Sequence, residues 1–200
     1  MTAIQGGTMS PRILAFAGSS RRDSFNKRLL KIAASGAEAA GADVTRIDLA
    51  DYPMPLFNQD LESEQGIPEN ALKFKRLLID HDAFIIASPE YNSAFTPLLK
   101  NVIDWASRAE SDDEPPLMAF QGKTAVILAA SPGALGGLRG LVFLRMLLAN
   151  IGVTVLPEQQ AIPQAFKAFN EDGSLVDDRK QQSVMALGKK LAVTVGKLNA

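Results

Sequence analysis

RILAFAGSSRRDSFNKR, residues 12–28, decides how the rest of the chain is read. Its first six residues form a short apolar run, as expected of a strand buried on both faces of a sheet. Residues 29–40 continue as a helix. Between them, three serines, an asparagine and several arginines occupy a strand-to-helix turn. Such a turn sets Ser19, Ser20, Ser24 and Asn26, with Arg21 and Arg22, beside the free N–H groups and the positive dipole end of the helix. That donor set suits a phosphate, and hydroxyls rather than lysines suit one that is held and not transferred. On this stretch alone an ordinary capped helix with Ser24 as N-cap reads equally well. Gly18 is the only glycine here, so neither GxGxxG nor GxxxxGK[ST] is present.

Outward from this turn, strand-like and helix-like segments alternate. Strands are expected at about 12–18, 44–49, 83–88, 123–130 and 153–156, and helices at about 26–40, 69–80, 97–108, 137–150 and 178–198, with a Pro-rich loop over 51–68. Alternation of this kind means right-handed βαβ units and a parallel sheet covered on both faces. Ligands of such sheets sit outside the carboxyl ends of the strands, where the strand order reverses. The loops after strands one, three and four are therefore the candidate site.

Ser88-Pro89-Glu90-Tyr91-Asn92-Ser93 leaves the most apolar strand. It can offer backbone N–H and C=O groups to the edge of a flat heterocycle with Tyr91 beside it; it also reads as a plain turn with a Tyr lid, and Trp105 as core. After strand four, the stretch 131–140 holds four glycines, Gly133, Gly136, Gly137 and Gly140. These allow close approach of the backbone to a ligand, or a flexible hinge. Placed together at one sheet end, the three loops describe a mononucleotide pocket.

Composition narrows the classes. The 200 residues favour one domain over 11–200, preceded by a disordered tail at 1–10 without the features of a secretory signal. A formal net charge of −1 argues against nucleic acid or an anionic membrane as the main partner. No apolar run approaches the ~18 residues of a membrane span. The absence of cysteine removes disulfides, thiolate catalysis and Cys-ligated metals, and agrees with a cytoplasmic location. His81, the one histidine, falls between helix two and strand three, away from the loops, and reads as a solvated turn residue. No metal site is expected. Asp112-Asp113-Glu114 reads as a solvated acidic loop, and Asp23 lacks a neighbouring carboxylate. The stretch 141–148 is apolar around most of its helix, which points to burial against a second subunit, with Arg139 and Arg145 pairing across that contact.

GSSRRDSFN at 18–26, SPEYN at 88–92 with LKNVIDWASR at 99–108, and SPGALGGLR at 131–139 resemble the NADPH-dependent FMN reductase family, flavodoxin-like quinone, chromate and azo-dye reductases, over residues 11–196. The resemblance implies a flavodoxin-like α/β three-layer sandwich with strand order 2-1-3-4-5, noncovalent FMN, NADPH or NADH as co-substrate, and a homodimer or homotetramer. By position, Ser19, Arg21, Ser24, Phe25 and Asn26 hold the phosphate, Pro89, Glu90, Tyr91 and Asn92 line the isoalloxazine, and Ser131 and Gly133 close its far side. Hydride passes from NAD(P)H through flavin N5 to a small-molecule acceptor (quinone, azo, nitro, chromate or free flavin) by a ping-pong route. No side-chain acid or base is required, so no catalytic residue is assigned. The chain departs from the family at 93–98, where Phe95 is expected to reshape the substrate side. A flavodoxin-like electron carrier without direct NAD(P)H activity is the alternative, disfavoured by the weak net charge, and a flavin-free domain on the same fold is a second one.

Overall fold

A computed structural model describes residues 10–199; the tail expected at 1–10 lies, apart from Ser10, outside the described residues. The strands are β1 (Arg12–Ala17), β2 (Asp43–Ile47), β3 (Ala83–Ala87), β4 (Thr124–Ala130) and β5 (Thr154–Ile162). They pair in parallel in the order β2-β1-β3-β4-β5, as the resemblance implied. β3 and β4 are wholly buried, which is why they read as unbroken apolar runs.

Helices α1 (Phe25–Glu38) and α7 (Asp178–Leu198) cover one face. α3 (Glu69–Asp80), α4 (Pro97–Ala106) and α5 (Leu138–Asn150) cover the other. Three short pieces escape the sequence periodicity: a 3-10 turn at Leu49–Asp51, α2 (Gln59–Gln65) and the single turn α6 (Ala165–Ala168). α2 is polar with no buried residue, so it carries no helical apolar stripe; Asn58 starts it by accepting the Asp60 N–H at 2.8 Å.

β5 runs six residues beyond the expected end. Pro157 reads as a stop, but β5 is an edge strand and Pro157 falls in a bulge where the register against β4 shifts between Ala125 and Ile127. Arg145 stabilises the bulge. Its guanidinium donates to the carbonyls of Val155, Leu156 and Pro157 and to Gln159 Oε1. Arg145 is therefore paired within its own chain.

The LKNVIDW stretch has a structural task. Asn101 Nδ2 and Trp105 Nε1 both donate to the Pro55 carbonyl, at 2.9 and 2.8 Å, and the Phe57 N–H donates to Asn101 Oδ1. Trp105, fully buried, meets Phe57 edge-on at 5.0 Å. One helix face thus pins the Pro-rich loop. His81 is buried, not solvated, with Nδ1 at 2.7 Å from the Leu77 carbonyl. Glu114 also differs from expectation: it binds the buried ammonium of Lys75, whereas Asp112 and Asp113 are exposed.

Within the layer that α1 and α7 form, the two helices cross closely. A Cβ on Gly188 would lie 1.8 Å from the Ala33 carbonyl oxygen, and one on Gly36 would lie 2.0 Å from that of Met185. Only glycine allows this approach. Gly188→Ala is expected to cost about 3 kcal/mol of unfolding free energy, measured by urea denaturation. A variant as stable as the parent would contradict the close crossing.

Candidate functional site

The site is assembled by cross-ties at the carboxyl ends of four strands. Gly18 N–H donates to Ala87 O, Ser88 N–H to Leu128 O, and Ser131 N–H to Ile162 O. Beyond Ser88 the β3–β4 ladder stops. In a parallel ladder the next two bonds would be Ala130 N–H to the Ser88 carbonyl and Glu90 N–H to the Ala130 carbonyl. Asn26 replaces both: its Oδ1 accepts the Ala130 N–H and its Nδ2 donates to the Ala130 carbonyl, each at 2.9 Å. The side chain is buried and acts as a substitute peptide. It fixes the start of α1 against the end of β4 and lets β3 leave the sheet.

Thr96 makes the second tie. Its buried hydroxyl donates to the Gly18 carbonyl at 2.7 Å and accepts the Leu99 N–H, capping α4. The turn after β1 is thereby held from both sides.

These ties create a cleft of about 230 Å³. It is lined by Ser19, Arg21, Ser24, Phe25 and Asn26 from the first loop, Pro89, Glu90 and Tyr91 from the second, and Ala130, Ser131, Pro132 and Phe166. Ser24 occupies the N-cap position of α1, is buried, and makes no side-chain capping bond. The first helical bond is Arg28 N–H to Ser24 O, so the N–H groups of Phe25, Asn26 and Lys27 have no partner among the described residues. Ser19 Oγ accepts the Arg21 N–H at 3.3 Å and keeps its own proton to donate. The Arg21 guanidinium sits 5.3 Å from the centre of the Phe25 ring. One end of the cleft is thus rich in donors and cationic.

The second loop turns on Asn92 and Ser93, both with positive φ of 50° and 70°. Tyr91 and Ala94 exchange N–H···O bonds across the turn, so the Tyr91 N–H is taken. The N–H groups of Glu90 and Asn92 have no partner among the described residues. Glu90 itself points to α5: Arg139 Nε and Nη2 donate to Oε1 at 2.9 and 2.5 Å, and the Gly140 N–H donates to Oε2 at 3.0 Å. Burial pushes its carboxyl up, but the Gly140 N–H and the Arg139 guanidinium outweigh it and hold the group below the ordinary carboxylate range. Arg139 is therefore paired inside its own chain.

The glycines of the third loop serve the protein more than a ligand. Cβ atoms at Gly136 and Gly137 would lie 2.7 Å from the Ile162 backbone and 2.6 Å from the Ala129 side chain. Gly133 differs: the nearest atom to its would-be Cβ is Ser131 Oγ at 3.8 Å, so that side is open.

A family model for NADPH-dependent FMN reductase matches residues 11–167. The chain belongs to the NADPH-dependent FMN reductase family. It is 34% identical over 188 residues to an NAD(P)H-dependent FMN reductase of Pseudomonas aeruginosa, covering 94% of this chain and 96% of the relative. It is 31% identical over 189 residues to a 2-hydroxy-1,4-benzoquinone reductase of a Burkholderia species, covering 94% and 97%. Among solved structures, the flavoenzyme NAD(P)H:(acceptor) oxidoreductase FerB of Paracoccus denitrificans superposes with a TM-score of 0.76 at 27% identity, covering 94% and 98%. An archaeal flavodoxin shares the fold, with a TM-score of 0.62 at 14% identity over 92% of this chain and 98% of that one. Family membership makes the chain an oxidoreductase that works with FMN and NAD(P)H.

Of the residues expected at the site, all but Asn92 and Gly133 line the cleft. Phe95 does not line it; it is half-buried and packs onto the core between the sheet and α3, α4 and α5. Two contributors were missed. Thr96 precedes Pro97 as an N-cap would, a signal that says nothing of the Gly18 carbonyl. Phe166 follows an edge strand whose end was misplaced. Among the described residues no helix is long and apolar enough to cross a membrane.

Asn26→Leu keeps the volume and removes both bonds to Ala130. It is expected to cost roughly 2–4 kcal/mol, because a buried N–H and a buried C=O lose their partners together. Thermal and urea unfolding measure this; a loss below about 1 kcal/mol would show that the tie is dispensable.

Proposed function

We propose that this chain is an FMN-dependent NAD(P)H oxidoreductase that reduces quinones and related small acceptors by a ping-pong route. The observation that carries the reading is the convergence, in one cleft, of the unpaired Ser24 hydroxyl and the free first-turn N–H groups of α1 with the open N–H groups of the 89–92 loop. The first set fits a phosphate and the second fits the polar edge of a flat ring. When bound there, FMN supplies the hydride chemistry that no side chain of the site provides.

The chain's own residues bind and orient. Ser19, Ser24 and the N–H groups of Phe25, Asn26 and Lys27 hold the phosphate, with Arg21 adding charge. Asn26 acts mainly by placing that turn, since its amide is occupied by Ala130. Pro89 and Tyr91 flank the ring, and the Glu90 and Asn92 N–H groups stabilise negative charge on its edge. Glu90 contributes through its backbone, its carboxylate being bound to Arg139 and Gly140. Ser131 and Gly133 border the open side.

The ping-pong route rests on the family reading: nicotinamide and acceptor would take turns at the open side of a flavin held in the cleft. On α5, Leu138, Val142, Phe143 and Met146 are 42–63% exposed in one apolar stripe, which supports a homo-oligomer built on this helix. The lack of cysteine supports a reducing, cytoplasmic setting.

Protein loaded with FMN and freed of excess is expected to keep its visible flavin absorption and to bleach promptly on anaerobic mixing with NADPH or NADH, then recolour on adding a quinone. Retained colour that resists both nucleotides would favour the electron carrier, and failure to retain FMN would overturn the proposal.

A further inference from the structure

Phe166 is an aromatic at the lip of the cleft to which the proposed FMN site gives no task. It sits on α6, is 73% exposed, and lines the same cleft as Tyr91, which is 55% exposed. Its place is fixed. The ring meets Phe25 edge-to-face at 5.2 Å and 89°, and Phe25 is stacked on Phe169 at 5.7 Å and 15°. The backbone is fixed as well: the Ala165 N–H donates to the Ser131 carbonyl at 3.1 Å and the Gln164 N–H to the Gly133 carbonyl at 3.2 Å. α6 therefore moves with the loop after β4. A phenyl ring held this firmly and left uncovered is a preorganised platform for a flat apolar partner.

We propose that Phe166 is a specificity-determining residue that stacks on planar acceptors, quinones above all. This rests on the flavin reductase reading. The polar groups assigned to the cofactor come from the ends of β1, β3 and β4, whereas α6 follows the edge strand β5 and presents at Phe166 only an apolar face. Phe166 thus adds apolar surface on the side of the cleft away from those polar groups, where a second planar molecule can lie.

The test compares FMN-loaded parent, Phe166→Ala and Phe166→Tyr. Oxidised protein is titrated with 2-hydroxy-1,4-naphthoquinone without NAD(P)H, and kcat/KM is measured with the quinone and with ferricyanide, which has no aromatic face. Phe166→Ala is expected to weaken quinone binding about tenfold and to lower the quinone-to-ferricyanide ratio of kcat/KM by a similar factor, with Phe166→Tyr restoring both. Unchanged quinone binding, or an equal fall for both acceptors, would overturn the proposal. So would a matching loss of FMN affinity, which would make Phe166 part of the cofactor wall. The titration needs no turnover, so it decides the role of Phe166 even if no acceptor supports NAD(P)H oxidation and the reductase reading fails.

Discussion

The site depends on one buried amide. Asn26 takes the two ladder positions that β3 vacates at the end of β4, and this lets the central strand leave the sheet without orphaning the Ala130 backbone. Three consequences follow from it. The start of α1 is locked above the sheet, so its unpaired N–H groups face the cleft. The 89–92 loop is released, and the Glu90 N–H, which would otherwise bond Ala130, is left available. The crevice opens where the connections leaving the neighbouring strands β1 and β3 run toward opposite edges of the sheet, the position at which such folds bind ligands.

Around that tie, most polar groups of the three loops are consumed by the protein. Thr96 holds the Gly18 carbonyl, Tyr91 and Ala94 satisfy each other, and the Glu90 carboxylate bonds Arg139 and the start of α5. The uncommitted groups include the Ser19 and Ser24 protons, the first-turn amides of α1, and two amides of the second loop. Preorganisation of this kind lowers the ordering cost of binding, because the donors are held before the ligand arrives. It also assigns rigidity to the end of the cleft proposed for phosphate, and leaves aromatic surface at its lip, on Tyr91 and Phe166.

The layered parallel sheet was legible because β3 and β4 are buried on both faces and α1, α3 and α4 alternate in the ordinary helical period. The loops were legible because serine, asparagine and proline cluster only at strand ends. What stayed hidden was hidden for physical reasons. Asn26 reads as a ligand donor, and only the three-dimensional end of β3 shows that its amide is already spent. Arg139 and Arg145 read as partners across a subunit contact, and only the folded chain shows that each also binds groups of its own chain, Glu90 and the bulge of β5. The glycines after β4 suggested ligand approach, whereas at Gly136 and Gly137 it is the backbone of β5 and the side chain of Ala129 that demand them. A long edge strand carrying a proline hid the segment that presents Phe166.

The central claim is that the turn after β1 is an anion seat that makes the cleft a mononucleotide site. Equilibrium titration of the cofactor-free protein with FMN and with riboflavin, which lacks the phosphate, followed by flavin fluorescence, tests it most directly. The account predicts that FMN binds about 100-fold tighter or more, the value of several charge-assisted hydrogen bonds to one phosphate. Equal affinity for the two flavins would contradict it.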